Sequence, residues 1–108
     1  MLNHLALVWL GFAAAAAGSA QAAGLDRHAC AFNGFPLHGD VQVVDSFPDI
    51  KVQIVDSFPD LNVQFVESFP DACGQWRLVD SFPDVKIQYV ESFPDIRIRT
   101  VTSFPGWP

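Results

Sequence analysis

Positive charge is scarce in this chain: 6 Lys and Arg stand against 12 Asp and Glu, for a formal net charge of −6, and no Lys or Arg precedes Arg27. With so little basic surface to displace counterions from phosphate, nucleic acid is excluded as an ordinary partner, and an anionic membrane surface for the same reason. Cysteine is limited to Cys30 and Cys73. Two sulfurs with no histidine spacing beside them make a poor zinc site. A helical period with caps, a Gly-x-Ser-x-Gly nucleophile elbow and an Asp-x-Asp-x-Asp-Gly calcium loop are all missing.

At the N-terminus, residues 1–22 read as a secretory signal. Leu5 to Ala17 is apolar but too short to span a bilayer as a helix, and Ala20-Gln21-Ala22 supplies a small-x-small cleavage pattern, although only His4 stands beside the terminal amine as a cationic group. No lipobox precedes a cysteine there. The mature product is expected to be exported, to the periplasm or the medium, and free of the membrane. What remains is one small domain, with residues 23–40 as an N-terminal segment and 41–108 as its body. Domains of that size bury a modest core and often need a staple. In an oxidising compartment Cys30 and Cys73 are expected to pair, with free thiols or a metal pair as the alternatives.

One phrase fills the body. It recurs as VVDSFPD from Val43, IVDSFPD from Ile54, FVESFPD from Phe65, LVDSFPD from Leu78, YVESFPD from Tyr89 and TVTSFPG from Thr100. The Ser-Phe-Pro triplets are spaced 11, 11, 13, 11 and 11 residues apart, so the array is divided once, at Ala72-Cys73-Gly74-Gln75-Trp76. A unit used six times over is poor material for a single asymmetric catalytic centre.

Within a unit, Ile50, Val52 and Ile54 alternate with Lys51 and Gln53, the period of a strand with one dry and one wet face. Parity breaks at Val55, where a bend must re-aim the chain or both faces become buried. Pro59 has no N–H for a ladder, so Phe58-Pro59-Asp60 reads as a corner that Asp60 closes by accepting a backbone N–H. The fold class is therefore all-β, a compact array of six 11-residue strand-turn repeats. Phe47, Phe58, Phe69, Phe82, Phe93 and Phe104 are equivalent by position and are expected to form the core, with a ligand-stacking platform as the competing reading. Phe35-Pro36 resembles the corner of a degenerate copy, and Trp76, Trp107 and Tyr89 read as caps on the core.

Taken together, Cys30, Phe32-Asn33-Gly34, Pro36-Leu37, the VDSFPD units and the mid-array ACGQW make the chain similar to the small bacterial 7(1) septoil-knot domain proteins. That resemblance covers about Cys30 to Pro108. It implies short β repeats threaded into a seven-crossing torus knot, and it implies no reaction, ligand or catalytic residue. Thr102 and Gly106 depart from the acids of the other copies, as befits a terminal unit.

Several constellations remain as candidate chemistry. Asp45, Asp56, Glu67, Asp80 and Glu91 would form one row if the units stack, and Asp49, Asp60, Asp71, Asp84 and Asp95 another. Oxygen rows can hold calcium, which is the alternative functional reading, but acids beside proline corners more commonly close turns. His28 and His38 could in principle serve one of the repeated serines, such as Ser46 or Ser57, although nothing in the spacing assembles a triad. Gln42, Gln53, Gln64 and Gln88, with Lys51, Lys86, Arg97 and Arg99, make a polar strand face that could meet a glycan, a protein or a sheet edge. The expectation is a non-enzymatic structural or interaction module, with no cofactor.

Overall fold

A computed structural model describes residues 23–108; the signal segment read at 1–22 lies outside the described residues. The described chain is all strand and turn. Three two-residue strands, β1 (Leu25–Asp26), β2 (Ala31–Phe32) and β3 (Phe35–Pro36), form a small antiparallel sheet. Six longer strands follow: β4 (Gly39–Val43), β5 (Ile50–Ile54), β6 (Leu61–Phe65), β7 (Gln75–Leu78), β8 (Val85–Tyr89) and β9 (Ile96–Thr100). All six are parallel and close into a barrel in the order β4-β7-β6-β9-β5-β8.

Alternation builds the interior. Ile50 and Val52 of β5, Leu61 and Val63 of β6, Val85 and Ile87 of β8, and Ile96 and Ile98 of β9 are all buried, each pair separated by one outward residue. Stagger is large. On β5, residues 50–52 pair with β8 while residues 52–54 pair with β9, so each strand shifts register between its neighbours and must tilt steeply. The ladder extends one residue past each strand, because Val44, Val55, Val66, Val79, Val90 and Val101 each donate an N–H to a neighbouring strand's carbonyl. This explains the apolar doublet: Ile54 keeps the inward parity but lies at the open end of the barrel, and Val55 is half-buried on the outer side.

Barrel order also explains the interruption in the repeat. From β4 to β5 the chain skips the place held by β8, and from β5 to β6 it skips that of β9. A third equal step would land on β4, which is already there. Instead the chain enters the gap between β6 and β4 as β7, and the two further steps, over β4 and then β5, interleave β8 and β9 with the first three strands. Pro70 and Asp71 reach the recess beside Asp40 on the β4 side, so the connection overshoots β7 and returns through Ala72-Cys73-Gly74. The extra residues are that return. Gly74 fits there because a Cβ would lie 2.5 Å from the Asn62 carbonyl.

The small sheet closes the strand-start end of the barrel. Leu25, Phe32, Leu37 and Cys30 join the buried cluster, and Trp107 packs against it. The Leu37 carbonyl accepts both the Gly74 N–H, at 3.0 Å, and the Trp76 indole N–H, at 2.9 Å. A Cys30–Cys73 disulfide fixes this sheet to the turn before β7. Trp76 lies inside the core and does not cap it, edge-on to Phe65 with ring centroids 6.1 Å apart.

The expectation that the repeated phenylalanines form the core is overturned. Phe47, Phe58, Phe69, Phe82, Phe93 and Phe104 are 80–94% exposed. Each sits at a φ between 52° and 57°, the left-handed region, and its ring is turned away from the barrel. The aliphatic residues of the strands already fill the interior. Phe35-Pro36 is not a corner either, since it forms β3 and pairs with Ala31-Phe32.

Candidate functional site

Each repeat connection is an arch thrown over one strand. Asp49 donates its N–H to the Lys86 carbonyl of β8 and receives the Lys86 N–H on its carboxylate, at 2.8 and 2.9 Å, as the chain passes from β4 to β5. Asp60 makes the same pair with Arg97 of β9, Asp84 with Asp40 of β4, and Asp95 with Lys51 of β5. These aspartates therefore satisfy the strand beneath the arch, whereas closure of their own turn was expected. Gly39 shows how tightly they approach: a Cβ there would lie 2.5 Å from the Asp84 carboxylate.

The other foot of the arch is held by glutamine. Gln42 donates to the Asp80 carbonyl, Gln53 to Glu91, Gln64 to Thr102 and Gln88 to Asp45, at 2.8–3.0 Å. The polar strand face is thus half covered by the chain itself, and its glutamines are engaged. Arginine takes the glutamine place on two strands. Arg77 of β7 forms a two-bond ion pair with Asp40, at 2.7 and 2.9 Å, and Arg99 of β9 donates to the Asn62 side chain at 3.1 Å. The Arg77 hydrogen bonds hold the Asp40 carboxyl below its usual range, and Asp40 in turn raises Arg77.

What the arches present outward is one pattern repeated around the barrel. A serine and a phenylalanine, both exposed, follow a carboxylate in the first five copies and Thr102 in the sixth. The arches lie over different strands, so the rings radiate in all directions from the barrel. At the strand ends Val43, Ile54, Phe65, Leu78 and Tyr89 are 39–53% exposed and rim the open mouth. Burial raises the Tyr89 phenol above its ordinary range.

The remaining candidates do not converge. His28 is exposed, and the six repeat serines stand on separate arches. His38 lines a recess of about 390 Å³ with Asp40, Asp71, Arg77 and Asp84, but makes no hydrogen bond among the described residues. The two acid rows separate by role: Asp49, Asp60, Asp84 and Asp95 are bound to strand amides, Asp71 instead donates its own N–H to the Phe69 carbonyl, and Asp45, Asp56, Glu67, Asp80 and Glu91 face solvent with no side-chain partner among the described residues. Among the described residues no three His, Cys, Asp or Glu side chains gather as metal ligands. The phenylalanines are evident in the repeat but their outward placement is not, because the corner's left-handed backbone has no signature in a Ser-Phe-Pro triplet.

A family model described as the 7(1) septoil knot domain matches residues 34–108, the barrel and the strand that leads into it. The chain belongs to that family. A relative in Synechocystis sp. (strain ATCC 27184 / PCC 6803 / Kazusa), an uncharacterised protein, is 77% identical over 47 residues, which are 44% of this chain and 42% of the relative. The match therefore spans less than half of either protein.

Proposed function

We propose that this septoil-knot domain protein is an exported, non-enzymatic interaction module whose contact surface is the girdle of six phenylalanines. The carrying observation is a double cost. Left-handed backbone costs a bulky residue on the order of 1 kcal/mol, and Gly or Asn would adopt it more readily. Exposure then forgoes the burial energy of the ring. A residue favoured by neither conformation nor packing, repeated at all six arches, is best accounted for by what it touches outside the molecule.

Replacement of all six phenylalanines by serine should leave the melting temperature close to that of the parent and abolish retention on phenyl-agarose. Loss of the fold in that variant would make the rings structural and sink the proposal. The same reading takes the backbone to be knotted as the family's description says, supported by the interleaving of β8 and β9 between strands laid down earlier. Stretching the reduced chain from both ends should then stop short of its full contour length.

A further inference from the structure

We infer that the girdle, read as an interaction surface, docks cationic apolar polypeptide segments, several at a time. Asp45, Asp56, Glu67, Asp80 and Glu91 lie two residues before their phenylalanines, are exposed, and have no hydrogen bond or ion pair from their side chains among the described residues. The second acid of the unit is held by a strand amide wherever an arch leads into β5, β6, β8 or β9. In those four connections one carboxylate serves the structure and the other is offered beside an exposed ring.

Cations on the molecule offset this only in part. Arg77 is tied to Asp40, Arg99 to Asn62, and Arg27 lies 5.0 Å over the Trp107 ring. Only Lys51, Lys86 and Arg97 remain exposed on the barrel strands without a side-chain partner among the described residues. The outer surface is thus apolar and anionic together, on a chain of net charge −6. Its complement is a segment that brings Lys or Arg to the carboxylates and aliphatic side chains to the rings, whose faces also attract cations. A second copy of the chain brings the same excess of acid, and an anionic bilayer is repelled. A neutral glycan leaves the unpaired carboxylates without an ionic partner.

Geometry sets the number bound. Arches over different strands point their rings around the whole circumference, so a single segment lying on one side reaches only some of them. Independent sites of one kind follow, and with them the capacity to gather several partners or several stretches of one.

The test is calorimetric titration of the purified protein with an amphipathic helical peptide of leucine and lysine. Expected is a stoichiometry above one peptide per chain, with affinity falling as salt rises. Conversion of Asp45, Asp56, Glu67, Asp80 and Glu91 to their amides, or of the six phenylalanines to serine, should each weaken binding by about tenfold or more, with the circular dichroism melt unchanged. The inference is overturned if a leucine–glutamate peptide binds as well, if lysine homopolymer alone binds as tightly, or if a neutral oligosaccharide binds while the leucine–lysine peptide does not. Retention on phenyl-agarose without peptide binding would also reject this partner class, yet leave the girdle standing as a contact surface.

Discussion

Gln88 of β8 donates its side-chain amide to the Asp45 carbonyl at 2.8 Å, across 43 positions of sequence, in the connection that passes over β8. The bond joins the outer face of one strand to the chain crossing above it, and Gln42, Gln53 and Gln64 repeat it elsewhere. Gln53→Ala should cost about 1 kcal/mol, the net value of an ordinary hydrogen bond. It should also speed amide exchange in the arch from Glu91 to Pro94. Lys51→Ala, two residues away and exposed, should change stability by no more than about 0.5 kcal/mol. Equal effects in the two variants would show that the glutamine clamp does not hold the arch.

Phe58 and Ile98 test the inverted core. Phe58 is 91% exposed while Ile98 is fully buried. Ile98→Ala should cost about 2–5 kcal/mol through lost burial and the cavity left behind. Phe58→Asn removes a ring that touches little and substitutes a residue better suited to left-handed backbone, so its denaturant midpoint should equal or slightly exceed the parent's. A loss of several kcal/mol at Phe58 would restore the ring to the core.

The contrast marks how far the sequence could be read. Alternation at Ile50, Val52, Leu61 and Val63 announced strands and the faces they bury, and the 13-residue spacing announced a break in the array. Strand order was not legible, because every unit presents the same edges and only closure of the barrel decides that the third step must stop beside β6. Phe58 was misplaced for a local reason: hydrophobicity argued for burial, whereas the left-handed turn before Pro59 aimed the ring outward. Gln53 read correctly as outward-facing, but nothing in one unit shows that another unit's arch lies over it.

Asp60 and Asp56 separate the two acid rows. The Asp60 carboxylate accepts the Arg97 N–H at 2.8 Å, whereas Asp56 has no partner among the described residues. Asp60→Ala should therefore cost about 1–3 kcal/mol by leaving a strand amide without its acceptor, and Asp56→Ala should be close to neutral. Millimolar calcium should leave both melting temperatures where chelator leaves them. A large rise with calcium, lost in the Asp56 variant, would revive the cation-binding reading.

Tyr89 is the single tyrosine of the chain, so its ionisation can be followed by absorbance without ambiguity. Partial burial raises its pKa above the ordinary tyrosine value of about 10. The folded state holds the phenolic proton more tightly than the unfolded state. Its contribution to stability is therefore complete below the unfolded pKa and lost as pH climbs through the folded one. Absorbance should titrate above pH 10 in the folded protein and near pH 10 in denaturant. At the acid end the sign reverses for Asp40, lowered by Arg77. Asp40→Asn should remove part of the stability that the parent loses as pH falls through the carboxylate range. Coincident tyrosine titrations in the two states would refute the burial of the ring.

Cys30 and Cys73 join chain segments 43 residues apart and bind the β1–β3 sheet to the turn that enters β7. A cross-link over that length restricts the unfolded chain by roughly 4 kcal/mol in the loop-entropy account. The same sheet is held by the Leu37 carbonyl, which receives Gly74 and Trp76, and by the burial of Leu25, Phe32 and Leu37. The Cys30→Ser, Cys73→Ser variant should therefore still fold at low temperature but melt well below the parent, and reduction of the parent should lower its midpoint to match. Thiol labelling of the denatured, unreduced protein should find no reactive cysteine. Two labelled thiols per chain, or an unchanged melt after reduction, would show that the sheet is held by its packing and the Leu37 bonds alone.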